Sequence, residues 1–166
     1  MSEIKPSPGD YCCVTTGGEA GRLVSLGERL NGDSFTRYDH TFIYVGDGRI
    51  VEAQPGGARE APLGGYRDAL WSTGHIPLTG EQRTDIVHAA RGYIGVPYSW
   101  ADYFALAAHR LRIPAPGLRR YIAATGHMIC SQLVDRSFND AAVHLFADGR
   151  WTGYCTPAAL AGLLDN

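Results

Sequence analysis

The sequence has no apolar run approaching the ~20 residues needed to cross a bilayer. Its first residues, Met-Ser-Glu-Ile-Lys-Pro-Ser-Pro, lack the apolar core of a signal peptide. The expectation is a chain outside the general secretory path: cytoplasmic, phage-borne or exported by a non-classical route. Lys and Arg do not run together beyond Arg119-Arg120 and the net charge is −2, so no nucleic-acid partner is expected. A slightly acidic domain has no strong pull towards an anionic wall or membrane either. The four cysteines, Cys12, Cys13, Cys130 and Cys155, form no Cys-x-x-Cys and accompany no paired His-x-x-x-His, so no metal is expected. There is no repeat and no low-complexity tract. The 166 residues read as one domain, 1–166, large enough to bury a core.

What is present centres on residues 39–53. Two runs rich in β-branched and aromatic residues flank Gly46-Asp47-Gly48, the pattern of a β-hairpin. Side chains alternate along a strand, so His40, Phe42 and Tyr44 share one face. If Gly46, Asp47 and Gly48 make a three-residue loop with Gly48 left-handed, Phe42 pairs with Glu52. His40 is then the same-face diagonal neighbour of Glu52, about 5–7 Å away. A two-residue Asp-Gly turn puts Glu52 on the opposite face. With the right register, Glu52 orients His40 as a base in search of a nucleophile; otherwise the two are a surface pair, and Asp39 or Gln54 become the alternative orienters.

The rest of the chain supplies the frame. Pro8-Gly9-Asp10 turns into a strand over 11–16, with Asp10 capping that turn. Leu23, Leu26 and Leu30 have helical spacing within 19–30. Residues 58–63 read as a short strand and 71–78 as a weaker one. Thr79 and Gln82 make a capping box before a helix reaching about Tyr93, with Ile86, Ala89, Ala90 and Tyr93 on its buried face. Ser99 caps an amphipathic helix to about Arg112, and 118–124 holds another turn or two of helix. A helix begins near Cys130, and Thr156-Pro157 starts a short last one. Adjacent Cys12 and Cys13 point to opposite faces; one of them and Cys155 read as buried structural thiols. His75, His88, His109 and His144 read as scaffold, and His127 as a solvent-facing loop residue.

Cys130 stands where a loop enters a helix after Gly126. A helix N-terminus carries about half a positive charge and free N–H groups, which favour a thiolate and can hold an oxyanion. Taken alone, a cysteine at a helix start is more often a small core residue. Thiol, histidine and glutamate together favour chemistry.

Four stretches carry a resemblance: Pro8-Gly9-Asp10-Tyr11, the run from His40 through Gly46-Asp47-Gly48 to Glu52-Ala53, Tyr93-Ile94-Gly95-Val96-Pro97-Tyr98-Ser99-Trp100, and Cys130-Ser131-Gln132-Leu133-Val134. In this order the chain resembles the NlpC/P60 superfamily, in its circularly permuted papain-like branch of YiiX-like and lecithin:retinol acyltransferase-like proteins. The resemblance implies an α+β, permuted papain-like fold: an antiparallel sheet packed by helices, with the Cys helix against the His strand. It also implies Cys130 as nucleophile, His40 as base and Glu52 as orienter. Tyr98, Ser131 and Tyr11 are the candidate substrate or oxyanion contacts. Gln132 stands where the branch often has Glu, and Trp100 is followed by Ala-Asp in place of the Gly-Gly of unpermuted members.

The expected activity is that of a cysteine hydrolase, a peptidase or amidase, acting on an amide or ester through an acyl-enzyme without a cofactor. The implied substrates are small peptides, including those of the cell wall, or acyl-lipid and N-acyl compounds; an acyltransferase uses the same steps. The aromatic set Tyr98, Trp100, Tyr103, Phe104 and Tyr121 lines a groove beside Cys130 or belongs to the core, Phe104 to the core. The rival expectation is a non-catalytic lipid- or peptide-binding protein on the same fold.

Overall fold

The computed structural model describes residues 5–16, 37–64, 66–99, 117, 126–150, 152 and 154–165. The helices expected over 19–30, 100–112 and 118–124, with Trp100, Tyr103, Phe104, His109 and Tyr121, lie outside the described residues. Within these, the chain is α+β, with five strands in one antiparallel sheet and three helices. The strands are β1 (Tyr11–Thr15), β2 (His40–Gly46), β3 (Arg49–Gln54), β4 (Gly57–Pro62) and β5 (Arg67–Trp71), in the order β4-β3-β2-β1-β5. The helices are α1 (Gly80–Gly92), α2 (Cys130–Asp140) and α3 (Pro157–Gly162). No helix among the described residues is long and apolar enough to cross a membrane.

The β2–β3 hairpin reaches the expected register by a different device. Its turn is two residues, Asp47 and Gly48, with φ of 51° and 67°. Gly46 pairs with Arg49 and Tyr44 with Ile50, so Val45 is the extra residue of a β-bulge. The bulge supplies the offset that a three-residue loop was expected to give, and Phe42 lies opposite Glu52. Without it, the two-residue turn would turn Glu52 to the other face. The next turn, Pro55-Gly56, pairs Gln54 with Gly57 and so places Arg59 opposite Glu52.

The strand expected over 71–78 lies earlier in the chain. β5 ends at Trp71; Ser72 then accepts hydrogen bonds at its carbonyl from the His75 and Ile76 amides, and Gly74 takes φ 80°, closing a turn. Trp71 pairs with Cys12, and the Ser72 amide then donates to the Tyr11 carbonyl at 2.9 Å.

α1 has the full capping box: Thr79 Oγ1 accepts from the Gln82 amide, and Gln82 Oε1 accepts from the Thr79 amide. Ile86 and Ala90 are its buried residues, while Ala89 and Tyr93 are half-buried. α3 begins as expected, with Thr156 Oγ1 accepting from the Ala159 amide and Pro157 in the first turn.

Both faces of the sheet are buried. Tyr11, Cys13, Ile43 and Val51 form one core with Leu133, Val134 and Phe138 of α2 and Leu160 of α3. Cys12, Val14, Phe42 and Ile50 form a second cluster with Tyr66 and Trp71 packed against it. Cys12 and Cys13 thus do point to opposite faces, and both are buried. Asp10, also buried, caps the turn before β1: it accepts from the Ser7 amide, Thr73 and Arg83.

The segment after α1 ties the sheet edge to the start of α2. Val96 and Gly95 hydrogen-bond both sides of Ala58 in β4, at 2.8 Å each. Two residues on, the Met128 amide donates to the Pro97 carbonyl (3.0 Å) and the Ser99 amide to the Met128 carbonyl (3.3 Å). Tyr98 and Met128 form a parallel bridge, and Cys130 follows two residues after Met128.

Candidate active site

His40 opens β2, and its ring lies beside Phe42 and Tyr66, with centroids 6.4 and 5.8 Å away. Its Nε2 meets Glu52 Oε2 at 3.0 Å, from the diagonal position that the register dictates. The Cys130 thiol also hydrogen-bonds this imidazole. All three side chains are buried: Cys130 is 1% exposed, His40 5% and Glu52 0%.

Helix α2 brings the thiol there. It packs on β2 and β3 through Leu133, Val134 and Phe138, so its first residue comes to the strand end where His40 sits. Ile129, at the N-cap, has no side-chain acceptor for the first-turn N–H groups. Gln132 reaches back and accepts the Ile129 amide at 3.0 Å, while its own buried Nε2 has no hydrogen-bond partner among the described residues.

The electrostatics follow from this burial and pairing. Desolvation pulls the His40 pKa down, but hydrogen bonds with Cys130 and Glu52, together with their negative charge, outweigh it and hold the imidazole up to about 9. Burial likewise raises the Glu52 pKa, and the hydrogen bonds from His40, Tyr66 and Arg59, with the imidazolium charge, bring it down to about 2. Both shifts favour the charged forms, imidazolium and carboxylate.

Two partners of Glu52 were not foreseen from the sequence. Arg59 donates to Glu52 Oε1 from Nε (3.1 Å) and Nη2 (2.9 Å). The Tyr66 hydroxyl donates a hydrogen bond to Oε2. Gln54 adds a third donor, Nε2 to Oε2 at 2.9 Å, and so supports Glu52 without replacing it. Arg59 was legible, since a Pro-Gly turn at 55–56 sets Glu52 opposite it. Tyr66 had no such signal. Asp39, the other alternative orienter, accepts instead from the amide and hydroxyl of Thr16.

The remaining candidates are placed elsewhere. The Ser131 hydroxyl donates to the Cys155 carbonyl at 2.8 Å, and Cys155 Sγ donates back to the Ser131 carbonyl at 3.1 Å. This exchange fastens the start of α2 to the segment before α3. The Tyr11 hydroxyl donates to the Leu160 carbonyl at 2.9 Å, in the core between β1 and α3. Both hydroxyls are buried and donate to backbone carbonyls of the scaffold. Tyr98 is half-buried, and its backbone lies against the entry to Cys130. His127 is half-buried in the same loop, where a solvent-facing position was expected. Burial pushes the Cys12 thiol up to about 12 and the Cys155 thiol well above the usual range. Among the described residues no three of His, Cys, Asp and Glu gather as a metal-binding group.

Neither the family models nor the curated proteins compared with the chain match it.

Proposed function

We propose that this chain is a cysteine hydrolase of the permuted papain-like, NlpC/P60 type, acting on an amide or ester carbonyl. The observation that carries this reading is the meeting of Cys130, His40 and Glu52, from α2, β2 and β3, in one buried hydrogen-bonded row. A buried imidazole held between a thiol and a carboxylate is the arrangement that nucleophilic thiol catalysis requires.

The steps follow from the residues. Cys130 sulfur attacks the carbonyl carbon, and the carbonyl electron pair moves to oxygen, where the Cys130 backbone N–H at the start of α2 stabilises it. The imidazolium of His40 gives its proton to the departing amine or alkoxide as the carbon–heteroatom bond breaks. Neutral His40 then takes a proton from water, whose oxygen displaces the thiolate from the thioester and releases the acid. An amine in place of water makes the same site an acyltransferase. Glu52 keeps the ring oriented throughout. The substrates that fit the proposal are small peptides, those of the cell wall among them, and acyl-lipid or N-acyl compounds.

The burial of Cys130 favours a second reading, a non-catalytic binding protein on the same fold, because a thiol 1% exposed is not open to a carbonyl in this conformation. Alkylation of Cys130 by iodoacetamide, followed by mass spectrometry across pH, separates the two. The hydrolase reading expects labelling well below pH 8.5, where an ordinary thiol titrates, and markedly slower labelling in His40→Ala. Slow labelling that His40→Ala leaves unchanged would sink it.

A further inference from the structure

The row of charges does not end at Glu52. Cys130, His40, Glu52 and Arg59 come from α2, β2, β3 and β4, and each pairs with the next. Arg59 grips Oε1 with two N–H groups, while Oε2 receives His40, Tyr66 and Gln54. The Arg59 side chain is 59% exposed, against 1% for Glu52. It therefore fills little of the core, and its placement serves the carboxylate.

We propose that Arg59 is a positioning residue of this site: it fixes one oxygen of Glu52 so that the other faces His40, and its charge closes an alternating row of thiolate, imidazolium, carboxylate and guanidinium whose sum is zero. The inference rests on the hydrolase reading and extends it from three residues to four. The second part carries a sign. Without Arg59 the row bears one net negative charge, and every proton in it is held more tightly. The thiol then loses its proton at higher pH. Tyr66 acts in the same direction with less weight, as a neutral donor that lowers the proton affinity of Glu52. Among the described residues the titratable and charged groups facing the imidazole and the carboxylate are Cys130 from α2, Arg59 from β4 and Tyr66 from the segment before β5.

The test is the rate of Cys130 alkylation against pH on the full chain, with the thermal midpoint measured alongside, for wild type, Arg59→Ala, Arg59→Lys and Tyr66→Phe. Arg59→Ala is expected to move the rising limb towards alkaline pH by about half a unit, roughly threefold slower labelling on that limb. Arg59→Lys restores the charge and most of the shift; Tyr66→Phe gives a smaller shift of the same sign. A lowered midpoint with an unmoved limb makes Arg59 merely structural and overturns the proposal, as does a superimposable profile at full stability. If wild type itself labels as slowly as a free thiol, the hydrolase reading has failed on its own. The Arg59 claim is then read from the NMR titration of His40, whose midpoint rises in Arg59→Ala if the charge row is real and stays fixed if it is not.

Discussion

His40 and Glu52 are joined at 3.0 Å although they do not face each other across the hairpin: Phe42 is the residue opposite Glu52. The diagonal works because the bulge at Val45 keeps both side chains on one face of the sheet. Their coupling has a defined pH dependence. His40, raised from 6.5 to about 9 on folding, stabilises the fold fully below about pH 6.5, and that contribution is lost as pH rises through 9. Glu52, lowered from 4.5 to about 2, stabilises fully above about pH 4.5, and that contribution is lost as pH falls through 2. The pair's contribution to the melting midpoint is thus greatest between about pH 4.5 and 6.5. His40→Ala is expected to flatten the alkaline decline in a melting series; an unchanged decline would place its cause elsewhere.

Glu52→Gln leaves Arg59 and an imidazolium facing a neutral amide. Removing one partner of a buried pair costs about 3–5 kcal/mol, and the exposure of Arg59 places this variant at or below the lower end. Urea unfolding checks the magnitude. Loss below about 1 kcal/mol would mean that the carboxylate adds little to the fold.

The cysteines should separate by reactivity. Burial raises the thiols of Cys12 and Cys155, so at neutral pH iodoacetamide is expected to modify Cys130 well before either, and all of them alike in denaturant. Peptide mapping of a short pulse tells them apart. Equal labelling of Cys155 and Cys130 would show that local opening, and not the imidazole, sets the rate.

Ser131→Ala and Thr79→Ala remove scaffold hydrogen bonds only. Each is expected to cost about 1–2 kcal/mol of stability, by leaving the Cys155 carbonyl without its donor or α1 without its cap. Neither should move the pH profile of Cys130 labelling. A shifted profile in Ser131→Ala would return that hydroxyl to the chemistry.

Gly57 adopts φ 113°, and a Cβ there would lie 3.1 Å from the Val96 carbonyl oxygen. Gly57→Ala is expected to lower stability by about 1–3 kcal/mol, read as a lower melting midpoint. Strand β4 carries Arg59, and the same turn leads through Pro97 to Met128. Slower Cys130 labelling is therefore expected to accompany the loss; a stability unchanged within error would mean that the backbone relaxes there at no cost.

Much of this arrangement is local and so was written in the sequence. Alternation placed His40 with Phe42, turn glycines allowed the positive φ values of the hairpin, and Thr79, Gln82, Thr156 and Pro157 marked helix starts through bonds closed within a few residues. Even the Glu52–Arg59 pair follows from counting outward from Pro55-Gly56. The strand expected over 71–78 failed because apolar residues alone cannot tell a strand from the turn that ends one. Other features were decided only by packing. The bulge at Val45 sets which face Glu52 occupies, and the burial of β2 and β3 selects that register. Ser131 and Tyr11 have hydroxyls whose partners, Cys155 and Leu160, lie far along the chain. Tyr66 reaches Glu52 from beyond the hairpins. The thiol of Cys130 meets His40 because α2 lies on β2 and β3, and burial strengthens the pairing of its charges. Backbone geometry acts over a few residues and can be read from their order; desolvation and long-range contact depend on the whole fold.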